Sequence, residues 1–122
     1  MERVRGCLFL ALACLGPSAS ALAATFTVNA VDERRDAAPG DGSCDADPAA
    51  PGEQCTLRAA VQEANATPGA DTIVVPAGIY RLTLQGSGED AGLTGDLDLL
   101  DTVAILGAGA DVSVLVNQPA TG

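Results

Sequence analysis

Neither histidine nor lysine occurs in this chain of 122 residues, and six arginines stand against sixteen acidic residues, for a formal charge of −10 at pH 7. Without histidine there is no imidazole base, and Cys44 and Cys55 without histidine make a poor zinc site. So acidic a surface repels phosphate backbones and anionic lipid, which argues against nucleic acid as a partner. No apolar run reaches the ~20 residues that a membrane-spanning helix needs. No glycine-rich phosphate loop is present, and Gly107-Ala108-Gly109 is too short a match for dinucleotide binding. Strong acidity can accompany disorder. Here Val, Ile, Leu and Ala recur in short regular runs through the second half, which argues for a folded chain.

The first 23 residues read as a secretory signal peptide. Arg3 and Arg5 form a basic start, Cys7 to Leu15 a short apolar stretch, and Gly16, Pro17 and Ser18 a break. Ala21-Leu22-Ala23 is a small-x-small cleavage site, placing the cut after Ala23 or within about two residues of it. A lipoprotein signal ending at Cys14 fits poorly, because Ala11-Leu12-Ala13 has the wrong residues before the cysteine. The mature chain is then exported, to the extracellular space or the cell envelope. Cys7 and Cys14 leave with the leader. Cys44 and Cys55 remain, and an even pair in an exported chain reads as a disulfide. Closing so short a loop stabilises by roughly 3 kcal/mol in the chain-entropy model.

Along the mature chain, Phe26 and Val28 alternate with Thr25, Thr27 and Asn29, a strand signature. Residues 31–52 lack periodicity and are rich in Asp, Ala, Gly and Pro, as a long loop is. Thr56 is a good N-cap for a helix, its hydroxyl placed to accept the Ala59 N–H. Leu57, Ala60, Val61 and Ala64 form one narrow apolar stripe, with Arg58, Gln62, Glu63 and Asn65 off it. Pro68 and Gly69 end the helix. Short strands follow: Thr72 to Val75, Tyr80 to Leu84, Leu97 with Leu99, Val103 with Ile105, and Val112 to Val116. Ile73 and Val75 match Leu97 and Leu99, and Tyr80 and Leu82 match Val103 and Ile105. Steps in the twenties with short strands mark a solenoid of parallel strands. A small sandwich of antiparallel hairpins is the rival. It would want two-residue Asn-Gly or Asp-Gly turns, which Pro76-Ala77-Gly78 and residues 107–111 are not.

Cys55-Thr56-Leu57-Arg58-Ala59-Ala60 resembles the Cys-Ser-Leu-Arg-Glu-Ala signature of the CSLREA domain family. Asp41-Gly42-Ser43-Cys44 looks like that family's first cysteine loop, and Gln62-Glu63-Ala64-Asn65 like its helix continuation. Ala70 to Ile73, Pro76 to Tyr80 and Thr94 to Asp98 look like its first coils. The resemblance implies a mainly β fold: the beginning of a right-handed parallel β-helix of the pectin-lyase type, about two coils with an N-terminal α-helical cap. The expected division is 1–23 signal peptide, 24–70 cap with disulfide loop and helix, and 71–122 first coils. Since a solenoid needs three or more repeats with both ends covered, the chain is expected to be the start of a longer product. The family has no established catalytic activity and begins exported, often surface-associated bacterial proteins. The implied role is therefore a non-catalytic cap serving surface adhesion or glycan binding, with a polysaccharide or a host or cell-surface glycan as partner. The alternative is a polysaccharide lyase or glycoside hydrolase whose groove lies beyond residue 122. In this chain Thr56 replaces the family's serine, and Ala59 replaces its glutamate. Because Ala59 is the third helical position, restoring glutamate is expected to complete a capping box and add roughly 0.5–1 kcal/mol.

Candidate chemistry is sparse. Asp96 and Asp98, two apart on an expected strand, share a face about 6.5–7 Å apart, and Asp101 follows. Such carboxylates could work as acid and base on a glycosidic bond or hold calcium; solvent-facing aspartates on a coil are the preferred reading. Asp45 and Asp47 are a second calcium candidate, without the residue order of an EF-hand loop. Glu89 and Asp90 read as solvated loop. Arg81 reads as a surface ion pair or a lyase-type arginine. Arg58 is expected to pair with Glu63 or the cysteine-loop aspartates, or to cover the core edge with its stem. Ser87 and Ser113 have no recognisable partner. No catalytic residue, resident metal or cofactor is assigned.

Overall fold

The computed structural model describes residues 22–117 except Ser87. Most of the expected signal peptide and Ser87 thus lie outside the described residues. Five short strands and one helix are described: β1 (Thr25–Thr27), α1 (Leu57–Ala66), β2 (Asp71–Val75), β3 (Gly78–Leu82), β4 (Val103–Gly107) and β5 (Ser113–Asn117).

The strands form a three-stranded sheet in the order β1-β2-β4 and a two-stranded sheet of β3 and β5. Every pairing is parallel. Strands paired in parallel need long connections, and the segments 28–70, 76–102 and 83–112 supply them. Alternate residues of β2 (Asp71, Ile73 and Val75) point into the core, following the two-residue period of a strand. Phe26, Ile73 and Ile105 are register neighbours across the sheet. Tyr80 and Leu115 are neighbours in the second sheet.

The helix forms where its cap is expected. Thr56 Oγ1 accepts from the Ala59 amide at 3.0 Å and donates to the Arg34 carbonyl at 2.6 Å. Leu57, Ala59, Ala60, Val61 and Ala64 join Phe26, Val28, Ile73, Val75 and Tyr80 in one buried core. Full burial of a side chain such as Ile73 is worth about 1.5–3 kcal/mol, so a ten-residue helix, marginal alone, is held by packing. Cys44 and Cys55 are bonded, with their Cα atoms 4.9 Å apart.

The architecture differs from the expected right-handed parallel β-helix of two coils with a helical cap. The strands make two separate small parallel sheets with no closed or curled sheet. The expected repeat fails at its centre, because Leu97 and Leu99 form no strand. Ile73 pairs with Ile105 instead of Leu97, and Tyr80 with Leu115 instead of Val103. The physical reason lies in residues 83–102. Their carbonyls and amides are drawn to the polar side chains of α1, which competes with ladder pairing. The alternation at 96–99 was real, but no strand partner claims it.

Candidate functional site

The densest constellation of polar chemistry surrounds α1. Arg58, Gln62 and Glu63, off the apolar stripe, are nevertheless buried. A charge buried without partners is costly, and each of these groups has partners. Arg58 Nε donates to Glu33 Oε1 at 2.6 Å, and Nη2 donates to the same oxygen. Arg58 Nη1 reaches the Gly92 and Asp96 carbonyls at 2.7 and 3.2 Å, and Nη2 the Gly95 carbonyl at 2.6 Å. Glu33 Oε2 in turn accepts from the Thr83 and Leu84 amides. Arg58 thus pairs with Glu33, neither with Glu63 nor with the cysteine-loop aspartates. One ion pair joins the start of the long loop, the helix, the end of β3 and the glycine-rich excursion.

Further along α1, Gln62 accepts from the Asp36 amide at 2.8 Å and donates to the Gly92 carbonyl at 3.3 Å. Asn65 donates to the Asp98 carbonyl at 2.7 Å and accepts from the Leu100 amide at 2.9 Å. Glu63 accepts from the Gly40 amide at 2.6 Å and from the Gly42 amide. Gly40 and Gly42 both hold positive φ, 98° and 88°, a conformation open to glycine at little cost. That geometry aims two amides at one carboxylate.

The aspartates singled out in the sequence serve backbone. Asp96 offers its carbonyl to Arg58. Asp98 Oδ2 accepts from the Gly92 amide at 3.1 Å, and Asp101 Oδ1 from the Thr102 amide at 2.7 Å. They lie on irregular chain, so the shared strand face expected for Asp96 and Asp98 is not formed. Asp45 Oδ1 accepts from the Asp47 and Gln54 amides, both at 3.0 Å. No group of three or more acidic, cysteine or histidine side chains converges on a metal position among the described residues. Glu89 organises its loop, accepting from Ala91, Leu93 and Thr94 amides. These bonds, the Thr94 one foremost, hold its carboxyl below the usual range. Burial pushes the Asp36 carboxyl the other way, above its usual range. Its Oδ2 has no partner among the described residues.

Ser113 has partners the sequence did not disclose. Its hydroxyl bonds to the Val75 carbonyl at 2.8 Å and accepts from the Ala108 amide at 2.8 Å, tying the two sheets together.

The concavities among the described residues include two of note. An open cleft of about 400 Å³ is lined by Val31, Asp32, Glu33, Ile79, Arg81 and Thr83. An apolar groove of about 210 Å³ runs between the helix and the last strands, lined by Leu57, Val61, Leu97, Leu99, Ile105 and Leu115. Ile105 and Leu115 stay 47 % and 52 % exposed there, although their neighbours Ile73 and Tyr80 are covered. Among the described residues no helix is long and apolar enough to cross a membrane. Comparison with family models, with curated proteins and with solved structures gives no match.

Proposed function

We propose that this chain is an exported, non-catalytic module of the bacterial cell surface, serving adhesion or glycan binding, and that its apolar groove receives further polypeptide. The resemblance of Cys55 to Ala60 to the CSLREA signature supports export and a non-enzymatic role. The observation that carries the reading is the contrast between inner and outermost strands. Ile73 and Val75 on β2 and Tyr80 on β3 are buried. Ile105 and Leu115 stand half exposed along β4 and β5, each the outermost strand of its sheet. Unpaired strand edges beside an apolar groove are templates for strand addition. Because the existing pairings are parallel, the occupant is an extended segment with alternating apolar side chains, added parallel to β4 and β5. Asp32, Arg81 and Thr83 in the open cleft can accept from and donate to sugar hydroxyls, which supports the glycan role.

A synthetic peptide carrying residues 103–117 is the probe, since it has the alternation the groove requires. Titrated into the mature protein, it is expected to move the amide resonances of β4 and β5 and those of Leu57 and Val61. Leu115→Lys should abolish the effect. Unmoved resonances at millimolar peptide would overturn the docking role. Incubation with pectin and alginate is expected to release no new chain ends; release would replace the non-catalytic reading with a polysaccharide-cleaving one.

A further inference from the structure

Asp71 opens β2, and its side chain points into the core with only 1 % of the residue exposed. Its Oδ1 accepts from the Ala24 amide at 2.8 Å. Its Oδ2 is buried and has no partner among the described residues. A carboxylate in that position loses its hydration and recovers only one hydrogen bond. The group it faces is the backbone nitrogen of the residue that follows the small-x-small site Ala21-Leu22-Ala23. Leu22 and Ala23 are exposed, Ala24 is half-buried against the core, and β1 begins at the next residue. The Ala24 carbonyl is fixed too, accepting from the Thr72 amide at 2.9 Å.

We propose that Asp71 is the internal counter-ion for a new N-terminus made at Ala24 by a leader peptidase. The proposal rests on the reading that the chain is exported. The step is hydrolysis of the Ala23–Ala24 peptide bond. Water supplies the oxygen that leaves as the Ala23 carboxylate, and the nitrogen stays on Ala24 as an ammonium. An amide has one N–H; an ammonium has three donors and a positive charge. The Oδ1 contact becomes a charge-assisted bond, and the orphaned Oδ2 gains a donor on the same nitrogen. Processing would thus complete a buried ion pair between the first residue of the mature chain and the first residue of β2. A cut one or two residues to either side would leave the pair unformed: an extended chain keeps an amide at Ala24, and a shortened one lacks the nitrogen.

The test begins with the full chain expressed in an exporting bacterium, the product recovered and its first residue read by N-terminal sequencing and intact mass. Its thermal midpoint is then compared with that of a chain retaining Ala23, of the Ala24 chain acetylated at its α-amine, and of Asp71→Asn starting at Ala24. The expected result is a first residue of Ala24 and a midpoint about 5 °C or more above the Ala23-extended and acetylated chains. In the Asp71→Asn background, extension by Ala23 should no longer change the midpoint. The acetylated chain keeps the measurement decisive if Asp71→Asn does not fold. An exported chain that begins elsewhere, or that begins at Ala24 without the thermal advantage, would overturn the ion pair and leave export standing. A chain retained in the cytoplasm with its leader intact would overturn both.

Discussion

Arg58, its side chain fully buried, uses all five of its N–H donors, on Glu33 and on the Gly92, Gly95 and Asp96 carbonyls, and this decides what single substitutions cost. Removing one partner of a buried ion pair typically costs about 3–5 kcal/mol, because the other charge is left without compensation. Arg58→Ala is therefore expected to lower stability by roughly that amount in urea unfolding. Arg58→Lys should recover only a minor part, since an ammonium lacks the planar fork that spans Glu33 and three carbonyls. Ala59 makes the opposite point. It is fully buried, so a glutamate there would carry a charge into the core instead of reaching back to cap the helix. The expectation that Ala59→Glu stabilises is reversed: a loss of about 2 kcal/mol or more is predicted, measured by the same unfolding curves. Two carboxyls set opposing pH trends. The Asp36 carboxyl is raised by burial, so the native state holds its proton more tightly. Its contribution to stability is complete below the ordinary value of 3.8 and is lost as pH rises through the folded value. The Glu89 carboxyl is lowered by amide bonds. Its contribution is present above 4.5 and is lost as pH falls through the folded value. Asp36→Asn should flatten the first trend and Glu89→Gln the second in melts taken between pH 3 and 7.

At the level of elements, the cap, disulfide and helix were legible because their signals are local. Thr56 and the ensuing stripe occupy consecutive residues, and Pro68-Gly69 closes the pattern. What the stripe could not disclose is that Arg58, Gln62 and Glu63 are also covered. Periodicity separates apolar from polar residues, but it is silent on a polar residue that meets backbone groups brought in from elsewhere. Glu33 illustrates this. It sits in a loop without periodicity, and its partners are Arg58, Thr83 and Leu84. The cysteine bridge and Glu63 hold the same loop from two sides. Replacing both Cys44 and Cys55 with serine is expected to cost about 3 kcal/mol on the chain-entropy scale. The change in backbone amide exchange should concentrate at residues 36–55, with β2 less affected.

Over the whole molecule, short β-strands are legible in the sequence, but the solenoid repeat read from them is not formed: the strands make two small parallel sheets with no closed or curled sheet. Leu97-Asp98-Leu99 alternates as well as Val103-Ala104-Ile105 does, and a pattern of period two cannot say which of two candidates finds a partner. The deciding facts are distant: Arg58 and Asn65 hold the carbonyls around Leu97, whereas Thr72 to Val74 lie alongside Ala104 to Leu106. The side chains at Leu97 and Leu99 still contribute, as one wall of the groove. The aspartates follow the same rule: spacing of two puts Asp96 and Asp98 on one face only if the segment is a strand, and here it is irregular chain.

The position of Glu33 also sets a timetable. Its amide partners at Thr83 and Leu84 follow it by 50 and 51 residues. With synthesis at about 5–20 residues per second, a nascent chain waits roughly 3–10 seconds between making this carboxylate and making the last groups that quench it. During that interval Arg58 can arrive but cannot finish the job. A ribosome stalled before Thr83 has been made is therefore expected to display a protease-sensitive helix, and one stalled well past Asp96 a resistant one.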